Sequence, residues 1–137
     1  MRKKIVPRKT KKPAKTPRKS GGSKPNLWDQ ASRWYDSLVG MSGSGYHQTI
    51  VMPGVFKMLE LKPGRRVLDL ACGQGVFSRF LLEKRIKPEG LDSSEELLNM
   101  ARSRSVKSIL YHLGNAGDRK LLHGQEFDGI ACLLAVQ

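Results

Sequence analysis

The sequence predicts an α/β fold: a parallel sheet with helices on both faces, preceded by a basic segment that cannot pack a core. Three observations lead there. From residue 61 onward, short apolar runs alternate with helical stretches of about ten residues, the pattern of βαβ units. The run Ile130-Ala131-Cys132-Leu133-Leu134-Ala135-Val136 is nearly continuous in apolar character, as in a strand covered on both sides. Composition divides the chain as well: residues 1–25 hold eleven Lys or Arg and no acid, whereas residues 26–137 hold fourteen against twelve acids.

The elements follow in order. Asn26 is placed as an N-cap, and Leu27, Trp28, Ala31, Trp34, Tyr35 and Leu38 recur at three and four, so residues 27–39 form an amphipathic helix. Trp34 and Tyr35 belong to its core face at that spacing. The glycine-rich stretch from Gly40 to Gly45 breaks it. A second helical stretch covers residues 46–60, with Val51, Val55, Met58 and Leu59 on one face and a bend near Pro53. Lys62-Pro63-Gly64 turns the chain into a first strand at 65–70, and a helix follows from Val76 to about Lys84. The second strand covers 87–91, and Ser93 with Glu96 makes a capping box for a helix to about Ser103. The third strand is expected at 108–113 and the fourth from Phe127 to about Val136. The chain thus divides into a tail (1–25), a helical cap segment (26–60) and a sheet-forming segment (61–137).

The tail supplies +11 of the net +13 charge and carries Pro7, Pro13, Pro17 and Pro25. Its few apolar residues cannot offset the entropy of folding, so it is expected to be disordered. Pro7-Arg8-Lys9-Thr10 is echoed by Pro17-Arg18-Lys19-Ser20. Such a segment suits polyanions, and nucleic acid is the partner that its charge implies, bound through counterion release. It has no aromatic residue to stack on bases. No apolar stretch follows the charges as in a secretory signal, and none reaches the length of a membrane span, so no membrane partner is expected. The prolines oppose an amphipathic presequence.

The chemistry is concentrated in Val67-Leu68-Asp69-Leu70-Ala71-Cys72-Gly73-Gln74-Gly75-Val76, followed seventeen residues after Gly75 by Asp92. Gly73 and Gly75 carry no Cβ, so backbone can approach a ligand between a strand and a helix N-terminus. Asp92, ending the second strand, can hold the two hydroxyls of a ribose. Asp69 decides which nucleotide-type cofactor fits. At the tip of the first strand it would face a dinucleotide's pyrophosphate, and like charges about 4 Å apart cost roughly 4 kcal/mol at an intermediate dielectric. Ser78 also stands where the dinucleotide fingerprint needs its third glycine. S-adenosyl-L-methionine, with a ribose, an adenine and positive charge but no phosphate, turns the acid into an asset.

Residues 67–80 resemble motif I of the class I S-adenosylmethionine-dependent methyltransferases, and Gly90-Leu91-Asp92-Ser93 resembles the segment that follows it. The likeness covers about Leu27 to Gln137 and implies the N-terminal half of that family's Rossmann-like fold. Motif I is an acid followed by three alternating glycines, here Asp69, Ala71, Gly73 and Gly75, with Ala71 a departure. By the resemblance, Asp69 and the Gly73–Gly75 backbone hold the methionine end and Asp92 the ribose. Asn115 stands where an acid often reaches the adenine amino group, a second departure, and can accept through its amide oxygen. The two early helices resemble the family's cap, with Trp34-Tyr35-Asp36 and Gly45-Tyr46-His47 as its characteristic pieces. Tyr35 and Tyr46 are candidates to set a ring face beside the sulfonium. The reaction implied is direct displacement at the sulfonium methyl by an unidentified acceptor. No residue is named as a base, and no metal is required.

In that fold the fourth strand is internal, so a bare apolar edge is expected here, and with it a truncated chain or one completed by a partner. Cys72 and Cys132 have no metal-type spacing and imply a reducing, intracellular setting, cytoplasmic or nucleoid-associated or nuclear. His112 and His123 lack companion ligands. Two other readings stay open: a basic nucleic-acid-binding protein with an inert Rossmann-like domain, and a non-functional fragment.

Overall fold

The computed structural model of the chain describes residues 26–118 and 120–135. The disorder and nucleic-acid binding expected of residues 1–25 therefore lie outside the described residues. Helix α1, Leu27–Val39, has the predicted bounds. Asn26 and Asp29 form a reciprocal capping box there, each side chain accepting from the other's backbone N–H, and Gly40 ends the helix at φ 70°.

The second helical stretch is divided at the expected place. His47–Val51 is a π turn, and α2 covers Met52–Met58 with Pro53 in its first turn. Pro53 has no N–H to give Thr49, and its ring would crowd that carbonyl, so the chain takes one extra residue per turn: the Met52 N–H bonds to the His47 carbonyl. That extra residue rotates the face downstream. Met52 enters the core and Val55 and Leu59 pack against it, while Met58, expected on the same face, is 83% exposed.

Strands β1 (Arg66–Leu70), β2 (Lys87–Asp92), β3 (Leu110–Leu113) and β4 (Gly129–Cys132) form one parallel sheet of order β3-β2-β1-β4. Helix α3 (Val76–Glu83) connects β1 to β2, and α4 (Glu95–Arg104) connects β2 to β3. Val67, Leu68 and Asp69 are all buried, so central β1 is covered on both faces. The main core gathers Met52, Val67, Phe77, Leu81, Ile86 and Ala131.

Three expectations need correction. The cap of α4 is Ser94, whose hydroxyl accepts from Leu97 N, so the Ser93–Glu96 box does not form. Ser93 is turned outward, where its carbonyl and hydroxyl accept from the Asn26 amide. The fourth strand stops at Cys132 because Leu134 takes φ 52°, outside the β region. Nor is that strand covered on both sides: Ala131 is buried, but Ile130 is 59% exposed and Cys132 is exposed, as the place of β4 at the end of the sheet order allows. The bare apolar edge is thus present among the described residues.

Candidate functional site

All four strands run the same way, so their carboxyl ends open on one side, where the chain order reverses between β1 and β4. A cavity of about 240 Å³ lies there. Its floor comes from Leu70, Ala71 and Gly73 after β1, Leu91 to Ser93 at β2, Gly114 to Ala116 after β3, and Leu133 to Ala135 after β4. Trp28 and Tyr35 of α1 form its roof. A crevice at a switch point beyond the strand ends is where open α/β sheets bind ligands.

Asp92 is 8% exposed, and both carboxylate oxygens are engaged: Oδ2 accepts from Gly73 N and Oδ1 from Ser94 N, each at 2.8 Å. The carboxylate therefore anchors the glycine loop and still faces the cavity with free lone pairs. Gly73, at φ 54°, passes under Tyr35, and a Cβ there would stand 3.5 Å from Tyr35 Cε1. Tyr35 is held edge-on by Trp28 at 5.7 Å between centroids. Burial, then the charges of Asp92 and Asp69, push the Tyr35 phenol up, which keeps it neutral.

The two loop glycines serve different ends. Gly75 caps α3 at φ 78° and does not line the cavity. A Cβ there would run into the Tyr111 hydroxyl and stand 2.9 Å from its Cζ, so Gly75 exists for close packing. Ala71 lines the cavity but holds φ 56°, a left-handed conformation that an L side chain adopts at a cost of about 1–2 kcal/mol.

Asp69 is 2% exposed, and its Oδ2 accepts from the Ser78 hydroxyl at 2.7 Å. Burial pushes its carboxyl up to about 7, opposed by the hydrogen bonds from Ser78 and reinforced by Asp92. It faces a narrower space of about 30 Å³ together with His47, Cys72 and Gln74. Tyr35, Ala71 and Leu133 line both spaces, so the narrow one extends the larger. Burial, with the nearby acids, pushes the Cys72 thiol far up, which removes it as a nucleophile.

Asn115 lines the cavity, with its amide oxygen accepting from Gly117 N at 2.8 Å. Tyr46 is 55% exposed and lines neither space, because adjacent helical residues point about 100° apart and it is His47 that turns inward. Trp34, expected with Tyr35 on the core face, is 64% exposed.

Several positioning residues escaped the sequence reading. Arg104 pairs with Asp36 at 2.5 Å and also reaches the Gln74 amide oxygen, while Gln74 donates to the Gly40 carbonyl. Arg79 donates to the carbonyls of Gln74 and Met41 at 2.7 Å each. Together these tie α1 and its exit loop to the sheet. No periodicity marks Gln74 or Arg79. Trp28 was findable, because it stands two turns before Tyr35 on one helix face.

One family profile, described as "Methyltransferase domain", matches residues 67–137. Ubiquinone biosynthesis O-methyltransferase of Hydrogenovibrio crunogenus is 27% identical over 111 residues, 79% of this chain and 46% of that protein. 2-phytyl-1,4-naphtoquinone methyltransferase of Synechococcus elongatus is 38% identical over 98 residues, 67% of this chain and 41% of that protein. In fold, a SAM-dependent methyltransferase from Geobacter sulfurreducens, solved in complex with S-adenosyl-L-homocysteine, matches with a TM-score of 0.59 at 19% identity, over 81% of this chain and 45% of that one. The chain spans less than half the length of these relatives. No described helix is long and apolar enough to cross a membrane. The glycine loop after β1, the acid ending β2 and the profile match agree: the chain belongs to the methyltransferase-domain family and has the Rossmann-like fold of its class I, S-adenosylmethionine-dependent members.

Proposed function

We propose that this chain forms the S-adenosyl-L-methionine-binding part of an enzyme that transfers a methyl group to an unidentified acceptor. The observation that carries the reading is the convergence of Asp92, the Gly73 backbone and the Tyr35 ring on one cavity at the β1–β4 switch point. That set matches a ribose diol, a closely approaching chain and a sulfonium. It offers no cluster of donors for a pyrophosphate, and Asp69 at the narrow end would repel one in its ionised form.

When bound, S-adenosylmethionine supplies a methyl group already activated on sulfur. The residues then have binding work to do. Asp92 accepts from the ribose hydroxyls while holding the loop, and Asn115 meets the adenine edge between Gly114 and Ala116. Tyr35 sets its ring against positive charge. Asp69, at the narrow end, gains a cationic partner that favours its ionised form. Alignment of the acceptor supplies most of the acceleration such a displacement needs. A reducing, intracellular setting is supported by Cys72 and Cys132, neither of which forms a disulfide.

Calorimetric titration of the full chain with S-adenosylmethionine, S-adenosylhomocysteine and NAD tests the reading. The first two bind and NAD does not. Asp92→Asn weakens both by roughly ten- to a hundredfold, the worth of a charge-assisted hydrogen bond. Uptake of NAD with no response to either sulfur compound would overturn it.

A further inference from the structure

Helix α1 carries a second feature, separate from its role over the cavity. Its two acids are turned inward: Asp29 accepts from the Ser94 hydroxyl at 2.7 Å, and Asp36 is paired with Arg104. Gln30, Arg33 and Ser37 face solvent on one side of the helix, and beside them runs an apolar row. Leu27 is 81% exposed, Trp34 64% and Leu38 61%, and Met41 just beyond the helix is 66% exposed. Positions 27, 34 and 38 fall within about 40° of one another around a helix axis, in a stripe about 17 Å long. Arg33 is exposed alongside. Single exposed apolar residues are ordinary, but a collinear set of this size on one helix marks a contact surface.

The charge pattern says what covers it. The chain enters α1 directly from residues 1–25, with eleven Lys or Arg and no acid. A large apolar stripe with Trp at its centre, contiguous in sequence with a polybasic run and with its acids turned away, is the composition of a surface that lies in the headgroup layer of an anionic bilayer. Nucleic acid would use the charges alone, since counterion release leaves the stripe without a role.

We propose that α1 is a peripheral membrane-docking face: Leu27, Trp34 and Leu38 insert into the interface of an anionic lipid bilayer, and the basic residues 1–25 supply the electrostatic attraction. This contact spans no membrane and does not depend on the methyl-transfer reading.

The test is co-sedimentation of the full chain with phosphatidylcholine vesicles, with and without phosphatidylglycerol. Binding is expected only to the anionic vesicles. Trp34→Ser with Leu38→Ser, both at exposed positions, lowers the partition coefficient about tenfold while residues 1–25 stay intact. As a second readout, Trp28→Phe leaves Trp34 as the sole indole, and its emission shifts to the blue when anionic vesicles are added. Circular dichroism confirms that each variant is folded. Three results would overturn the proposal. One is no vesicle binding. Another is equal binding by the chain and its double variant, which would mark a tail that adheres to any polyanion, RNA included. The third is a dimer of the unaltered chain in sedimentation equilibrium that the double variant abolishes, which would assign the stripe to a second copy.

Discussion

Replacing Asp69 with Asn isolates the electrostatics of the glycine loop. Burial pushes this carboxyl from 3.8 up to about 7, despite the Ser78 hydrogen bonds, and the charge of Asp92 adds to the rise. In the unfolded chain the group titrates normally. Across roughly pH 4 to 7 the native state therefore holds a proton that the unfolded state has released, so stability falls as pH rises through that window and levels off above it. A shift of about three units at about 1.4 kcal/mol each makes the chain on the order of 4 kcal/mol less stable at pH 8 than at pH 4 from this group alone. Asp69→Asn keeps an oxygen to accept from Ser78 and removes the charge. In thermal unfolding followed by circular dichroism without ligand, the variant should nearly match the unaltered chain at pH 4, the foot of that window. At pH 8 it should melt higher by roughly 10 °C or more, given about 4–8 °C per kcal/mol for a domain of this size. An equal melting difference at both pH values would refute the argument. With S-adenosylmethionine, the sign reverses in the ligand's favour. Affinity of the unaltered chain should rise through about pH 7 as the acid ionises, and that of the variant should stay flat.

Gly75→Ala places a methyl group against Tyr111 at φ 78° and should lower stability by about 2–3 kcal/mol in urea denaturation, with Tyr111→Phe in the same chain recovering part of the loss. Ala71→Gly should do the opposite. It removes a left-handed strain of about 1–2 kcal/mol at the cost of about 0.5–1 kcal/mol of unfolded-state entropy, so the urea midpoint should rise modestly. Asp36→Asn breaks a pair whose side chains are each about a quarter exposed (24% and 25%), so the global loss should be about 1 kcal/mol or less. The larger effect should be local, seen as faster limited proteolysis between α1 and the π turn.

Much of the fold was legible because short-range rules govern it. The Asn26 cap and the Gly40 stop bound α1 to the residue, and Pro53 marked the bend that became a π turn. Val76 opened α3 directly after the second glycine. Misplacements occurred where two local solutions compete. Ser93 and Ser94 are both competent caps, and the choice fell to Ser94 because Ser93 is drawn outward to Asn26, 67 residues away in the chain. The apolar run through Val136 reads as strand by composition, yet pairing with β1 ends at Cys132.

What the sequence by itself determined is the local grammar of the site: a strand, a glycine loop, a helix, and an acid at the end of the next strand. These depend on backbone freedom and on hydrogen bonds between near neighbours. Only the tertiary structure separated the glycines into one that lines the cavity and one that packs against Tyr111. It alone turned His47 inward in place of Tyr46, buried Asp69 against Ser78 and so moved its titration toward neutrality, and closed the Asp36–Arg104–Gln74 tie that seats α1. Each of those depends on atoms brought together from distant parts of the chain, and desolvation and close packing exist only once they have met.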